Sequence, residues 1–521
     1  MSEEYQGYQP PPPPPPESIH YKRLIVCCDG TGQSATGDGK ATVPTNVTRF
    51  ARSLKTSEYI PATEADPNTE QPAQAAWEVQ QVVLYQTGVG TGGVTGLSDG
   101  LSGAFGYGVD LHIKEAYTFF SINYEAGDRL FLFGFSRGAF TARAIASLIC
   151  NAGLVKKRYL QYLPMIYEEY MKRRDEKDKR NGFKEWLKTE AEGKYKIEFH
   201  TNVEIWHLGV WDTVGSLGVP RTWISNALGW NPIWNEHYGY HDTSFPIPTD
   251  RDSWRGYIIT SSQALALDET RISFSPTLLY APIQKQEDIQ VDHGSQFNQV
   301  WFPGVHTDVG GGYERAYHDI SDIAFAWMVD RCHGQGELKF RPFEELHEEM
   351  KQTSLSDAER SKFRLFTSVP PEPTDCGWAM SKQHDEANTW KFKLGGTMPR
   401  TPGQYFLDKK HDELKTEYDT RELIHVSVRL RMMKDPTWKP AALAGFELKK
   451  DETGYYWLKT MKKTGKQIRL DEWGLNYGGD LGDLLRTPED NALLDDKDKS
   501  LGIEMVKERG SWFPSWLWGG N

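Results

Sequence analysis

Gly134-Phe135-Ser136-Arg137-Gly138 is the segment of this 521-residue chain whose residue types and spacing most directly imply chemistry. A serine with glycine two residues before and two after can stand at a turn too tight for side chains at those flanking positions. The turn lifts the hydroxyl clear of the backbone and aims the N–H of Arg137 at the oxygen of a reacting carbonyl. The chemistry this arrangement serves is nucleophilic attack on an acyl group. A serine hydroxyl attacks poorly until a base takes its proton, so a histidine and an orienting carboxylate are needed from elsewhere in the chain.

Asp212 is the candidate carboxylate. It closes the apolar run Ile205-Trp206-His207-Leu208-Gly209-Val210-Trp211 and opens Thr213-Val214-Gly215, a place at a strand's C-terminal end where sites assemble; a turn or N-cap aspartate is the plainer alternative. His306 is the candidate base. It follows Val300-Trp301-Phe302 through Pro303-Gly304-Val305 and precedes Thr307-Asp308-Val309 and Gly310-Gly311-Gly312, so a flexible loop would carry the imidazole to a serine on another strand. His425, in a strand-like run, is the fallback, and His207, inside a strand, is weaker. Arg137 supplies one oxyanion-hole N–H, and Gly30 or Thr31 in the loop Asp29-Gly30-Thr31-Gly32 is expected to supply the second. Each such donor is worth about 2.7–4 kcal/mol in the transition state. Asp29 itself either bonds the loop or holds a cation.

The elements that must position these groups are legible as alternating apolar runs and helical stretches. Leu24-Ile25-Val26-Cys27-Cys28, Val82-Val83-Leu84-Tyr85, Asp128 to Phe133, Val203 to Val210 and Gln299 to Phe302 read as strands, and Leu111 to Tyr124 and Ala139 to Cys150 as helices. That alternation predicts an α/β fold: a mostly parallel sheet flanked by helices, with inserted helical and aromatic segments and a C-terminal extension. Residues 1–20, with prolines from Pro10 to Pro16, are expected to form a disordered polyproline-rich tail, 21–333 the catalytic domain, and 334–521, where the rhythm weakens, an extension packed on it. Trp223, Trp230 and Trp234, with Tyr238 and Tyr240, are candidates for a lid or acyl-chain wall, or for aromatic packing over the sheet. The end, Trp512 to Trp518, docks on the protein's own surface or sits at a membrane interface.

Composition narrows the classes. Lys+Arg total 60 against 72 Asp+Glu, a net charge of −12, which argues against a nucleic-acid partner. No apolar run of spanning length exists. The N-terminus lacks the basic and apolar regions of a secretory signal, so a cytoplasmic location is expected unless another export route carries the chain. The five cysteines show no C-x-x-C spacing and imply neither a metal site nor a disulfide scaffold.

Taken in order, Cys28-Asp29-Gly30-Thr31, Gly88-Val89-Gly90-Thr91, Gly134 to Ala139, Trp211-Asp212-Thr213-Val214, Ala264 to Glu269 with Arg271, Phe274 and Pro276, and Gly304 to Tyr313 resemble the uncharacterised α/β-hydrolase domain family that contains the first class of bacterial type VI secretion lipase effectors. The resemblance runs from about residue 22 to 333. A looser extension to Arg431, through Arg400-Thr401-Pro402-Gly403 and Glu422-Leu423-Ile424-His425, resembles fungal members. It implies a phospholipase or carboxylic-ester hydrolase with a Ser-Asp-His triad of Ser136, Asp212 and His306, no cofactor, an ester or phospholipid substrate and peripheral membrane contact. Many members carry histidine where this chain has Gln263, so no role of that histidine transfers. Two rival classes stay open: metal-assisted ester or phosphodiester hydrolysis by Asp29, Asp212, Asp308 and His306, and a non-catalytic interaction protein on a hydrolase scaffold.

Overall fold

The computed structural model describes residues 21–30, 44–62, 76–88, 101–173, 177–214, 255–279, 281–282, 296–313, 320–333, 338–341, 379–381, 383–384, 397–405, 418–462 and 465–473. The first half supplies β1 (Arg23–Cys28), α1 (Asn46–Ser53), β2 (Ser57–Ile60), β3 (Trp77–Gln86), α2 (Leu101–Asn123), β4 (Arg129–Phe135), α3 (Arg137–Ala152) and β5 (Val203–Trp211). The second half supplies β6 (Gly256–Ala266), β7 (Gln296–Phe302), α4 (His306–Gly310), α5 (Ile320–His333), β8 (Glu422–His425), α6 (Val426–Lys434), β9 (Glu447–Asp451), β10 (Gly454–Thr460) and β11 (Gln467–Trp473).

These strands make one sheet in the order β9-β10-β11-β8-β7-β6-β5-β4-β1-β3-β2. Every pairing from β11 to β3 is parallel, and the antiparallel pairings lie at the two edges. The fold is α/β-hydrolase-like: a large, mostly parallel sheet with helices on both faces. Its buried strands are continuous apolar runs because both faces are covered. Alternate residues of one strand therefore enter different cores. Leu24 and Val26 of β1, with Leu130 and Leu132 of β4, pack on the α2 and α3 side. Ile25, Cys27, Phe131 and Phe133 face the other side, against Phe50 of α1 and Trp327 and Met328 of α5. Each such fully buried side chain contributes about 1.5–3 kcal/mol.

Three features depart from the sequence expectations. Helix α2 begins at Leu101 rather than Leu111. Strand β6 carries no apolar run in its middle, yet Ser261, Ser262 and Gln263 there are buried. Gln263 bonds Thr277 O at 3.1 Å and Gln299 Oε1 at 3.0 Å, and Thr213 donates to it at 2.6 Å. The paired amide makes Gln263 tolerable inside the sheet, whereas the buried Ser261 Oγ has no partner among the described residues. The strand-like run around His425 breaks there: His425 ends β8, and its Nδ1 accepts the Ser427 N–H at 3.3 Å, which caps α6. The polyproline segment and the Trp512–Trp518 end lie outside the described residues.

Candidate active site

Parallel pairing sends every strand's C-terminal end to one edge. Phe135 of β4 is in register with Trp211 of β5, and Trp211 with Ala264 of β6. The residues immediately after β4 and β5 are therefore neighbours, and these are Ser136 and Asp212. Ser136 has φ 58° and ψ −121°, in the left-handed half of conformational space where a non-glycine residue costs about 1–3 kcal/mol. Its N–H donates to Trp211 O at 3.0 Å, which holds the bend against β5. The two flanking glycines are a steric requirement. A Cβ on Gly134 would lie 2.5 Å from Gly138 O, and one on Gly138 would lie 2.1 Å from Cys28 O. Helix α3 thus starts directly against β1 and β4, with Ser136 at its N-terminus and Arg137 as its first residue.

His306, which follows β7, reaches Ser136 from three strands away. Its Nε2 lies 2.8 Å from Ser136 Oγ, and its Nδ1 lies 2.6 Å from Asp212 Oδ2. A carboxylate can only accept, so Nδ1 carries the proton and Nε2 is left to accept from the serine hydroxyl. The imidazole does not hang from a flexible loop, as the sequence suggested, but opens the short helix α4. Its ring is held between Phe135, centroid 4.7 Å away, and Phe274, 4.8 Å away and edge-on. The absence of a side chain at Gly310 makes room for Phe135, since a Cβ there would lie 2.0 Å from Phe135 Cε2. Asn46 of α1 ties α4 in place by donating to Val309 O at 2.9 Å.

Asp212 is wholly buried and has a positive φ of 41°. Burial alone would push its carboxyl up. The Arg400 charge, the bond from His306 and the bonds from Arg400 outweigh this and hold it well below the usual carboxylate range. Four donors converge on it. Oδ1 accepts from Ala266 N at 2.9 Å and Arg400 Nη1 at 2.5 Å; Oδ2 accepts from His306 Nδ1 and from Arg400 Nη2 at 2.9 Å. Sequence reasoning quoted Arg400 without giving it a part in the site. Nothing in its surroundings points to a partner 188 residues away.

The remaining candidates separate as follows. Gly30 lies beside the serine, but its N–H donates to Asp29 Oδ1 at 2.6 Å, so it is not directed at a substrate oxygen. Thr31, the other candidate for the second oxyanion donor, lies outside the described residues, as do Trp223, Trp230 and Trp234. The Asp29 carboxylate, pushed up by burial, accepts from Tyr85, Thr45 and Thr48 at 2.5–2.8 Å. The Asp308 carboxylate accepts from Val305 N at 3.0 Å and faces His384 Nδ1 at 2.9 Å. Asp29, Asp308 and Asp212 thus serve separate internal donor sets, and among the described residues no group of three His, Cys, Asp or Glu side chains converges as a cation site. Burial lowers His207 and His425 to about 3, so both are neutral packing histidines. His207 bonds Thr260 at 2.8 Å, and His425 stacks on Phe302.

The profile of the family described as type VI secretion phospholipase effector Tle1-like, catalytic domain, matches residues 22–331. Over 156 residues the chain is 33% identical to the uncharacterized protein YEL023C of Saccharomyces cerevisiae, covering 27% of this chain and 22% of that one. Among solved structures, the Tle1 effector bound to the VgrG spike of the type 6 secretion system is similar at 18% identity and a TM-score of 0.28, covering 56% of this chain and 51% of that one. An uncharacterized protein from Pseudomonas aeruginosa is similar at 16% identity and a TM-score of 0.33, covering 66% and 52%. The chain therefore spans about half the length of these two structures.

Proposed function

The chain belongs to the Tle1-like phospholipase effector catalytic-domain family, and from that premise we propose that it is a serine hydrolase cleaving a carboxylic ester of a phospholipid. The observation that carries the proposal is the continuous bond path from Ser136 Oγ through His306 to Asp212, at 2.8 and 2.6 Å.

In this reading His306 Nε2 takes the Ser136 proton as Oγ attacks the ester carbonyl. The oxyanion forms at the α3 N-terminus, where the Arg137 N–H and the helix dipole favour negative charge. Thr31 supplies the second donor. Collapse of the tetrahedral intermediate breaks the bond to the alcohol oxygen, and the imidazolium returns its proton to that oxygen. The acyl-enzyme on Ser136 is then cleaved by water, which His306 deprotonates in turn. Asp212 holds the tautomer and offsets the imidazolium charge throughout. Trp223, Trp230 and Trp234 are assigned to the acyl-chain wall. Among the described residues no helix is long and apolar enough to cross a membrane, so a lipid substrate would be met by contact with a bilayer surface.

The test is hydrolysis of a phospholipid and acyl-ester panel by wild type and Ser136→Ala, with circular dichroism to verify the fold. The variant is expected to lose about 10⁴-fold or more in kcat. A folded Ser136→Ala protein that still turns over the same substrate would reject the assignment.

A further inference from the structure

We propose that Arg400 is the positioning residue for the acid of this site, so that residues 397–405, beyond the family match at 22–331, complete the hydrolase. The proposal rests on the serine-hydrolase reading given above.

Both terminal nitrogens of Arg400 meet Asp212, Nη1 on Oδ1 at 2.5 Å and Nη2 on Oδ2 at 2.9 Å. The same nitrogens donate to two backbone carbonyls, Ala266 O and Phe274 O, each at 2.7 Å. Those carbonyls belong to the end of β6 and to the turn whose Phe274 ring abuts His306. The guanidinium is therefore fixed in one plane by the backbone and presents a fork to the carboxylate. Lysine, a point charge on a flexible stem, has no such geometry. Its Nε finds no acceptor among the described residues. Fold stability alone is a weak explanation for such a pair, because well-packed apolar side chains generally do as well as a buried ion pair. What the pair does specifically is hold Oδ2 in line with His306 Nδ1.

The charge has a second consequence. Arg400 offsets the negative charge of Asp212 and so weakens that carboxylate's hold on the imidazolium proton. Few other charged groups face the pair. Glu269 accepts the His306 N–H at 3.2 Å and is itself paired with Arg271 at 2.7 Å. Tyr405, whose burial pushes its hydroxyl up, stands near Arg400. With the guanidinium removed, Glu269 keeps its arginine while Asp212 keeps just His306 and the Ala266 N–H. The Asp212 charge then faces the His306 ring without its counter-charge, and the pH dependence of the serine's reactivity reads out that loss.

The experiment measures the second-order rate of fluorophosphonate labelling from pH 5 to 9 on the full chain, for wild type, Arg400→Gln, Arg400→Lys and Arg429→Gln. Arg429 is a control because it forms a buried pair with Glu472 at 3.0 Å, away from the site. Arg400→Gln is expected to label about 10- to 100-fold more slowly near neutrality. Its acidic limb should move to higher pH. Arg400→Lys should fall between it and wild type, and it carries the test if Arg400→Gln does not fold. Arg429→Gln should keep the wild-type limb. Labelling of wild type with the same acidic limb in both Arg400 variants would overturn this proposal and leave the serine-hydrolase reading standing. A wild type that does not label would overturn both.

Discussion

Asp268 sits just after β6 and shows how one ionisable group near the site couples to stability. Its Oδ2 accepts the Gly304 N–H and the Gln383 side-chain N–H, each at 2.7 Å, and so holds the approach to His306. Burial is the main cause that pushes its carboxyl up to about 6, against the pull of the Gly304 bond. The folded state thus prefers the protonated acid. Its contribution is complete below the unfolded value, about 3.9, and is lost as pH rises to about 6. Asp268→Asn keeps an acceptor for both donors and removes the ionisation. It is expected to be more stable than wild type by about 1–2 kcal/mol at pH 7–8, with the advantage gone near pH 4. Urea denaturation at the two pH values checks this, and an unchanged difference between them would contradict it.

At the scale of elements, close approach of backbones sets the position of Ser136. Gly138 lets the first turn of α3 touch the end of β1, where a Cβ would meet two backbone carbonyls, Cys28 O at 2.1 Å and Asp29 O at 2.5 Å. Neither can move as a side chain tip can. Gly138→Ala is expected to cost about 2 kcal/mol or more, read as a lower denaturation midpoint, and to lower turnover because α3 carries Ser136. Full stability with full activity would show that the turn relaxes freely. This element was legible in the sequence because glycine spacing and the apolar run before it encode the same bend. β6 was not, since Gln263 in its middle becomes acceptable only once Thr213, just past β5, and Gln299 of β7 supply partners.

Over the whole molecule, the parallel sheet explains how a site can be assembled from residues 136, 212 and 306. Each follows an apolar strand, and parallel order delivers all three to one edge. That regularity is why Ser136, Asp212 and His306 could be picked out from the sequence. Arg400 lies in a segment without periodicity, and its described stretch, residues 397–405, holds no strand, so just the three-dimensional arrangement pairs it with Asp212. Gly30 is a mixed case: its place in the loop after β1 was legible, but the bond from its N–H to Asp29 was not. The most direct measurement of the central claim is mass-spectrometric mapping of the adduct left by a fluorophosphonate on the intact chain. The account predicts one stoichiometric adduct, on the peptide carrying Ser136, and none in His306→Ala. An adduct on another residue, or hydrolysis of phospholipid by a chain whose Ser136 is unmodified after complete reaction, would contradict it.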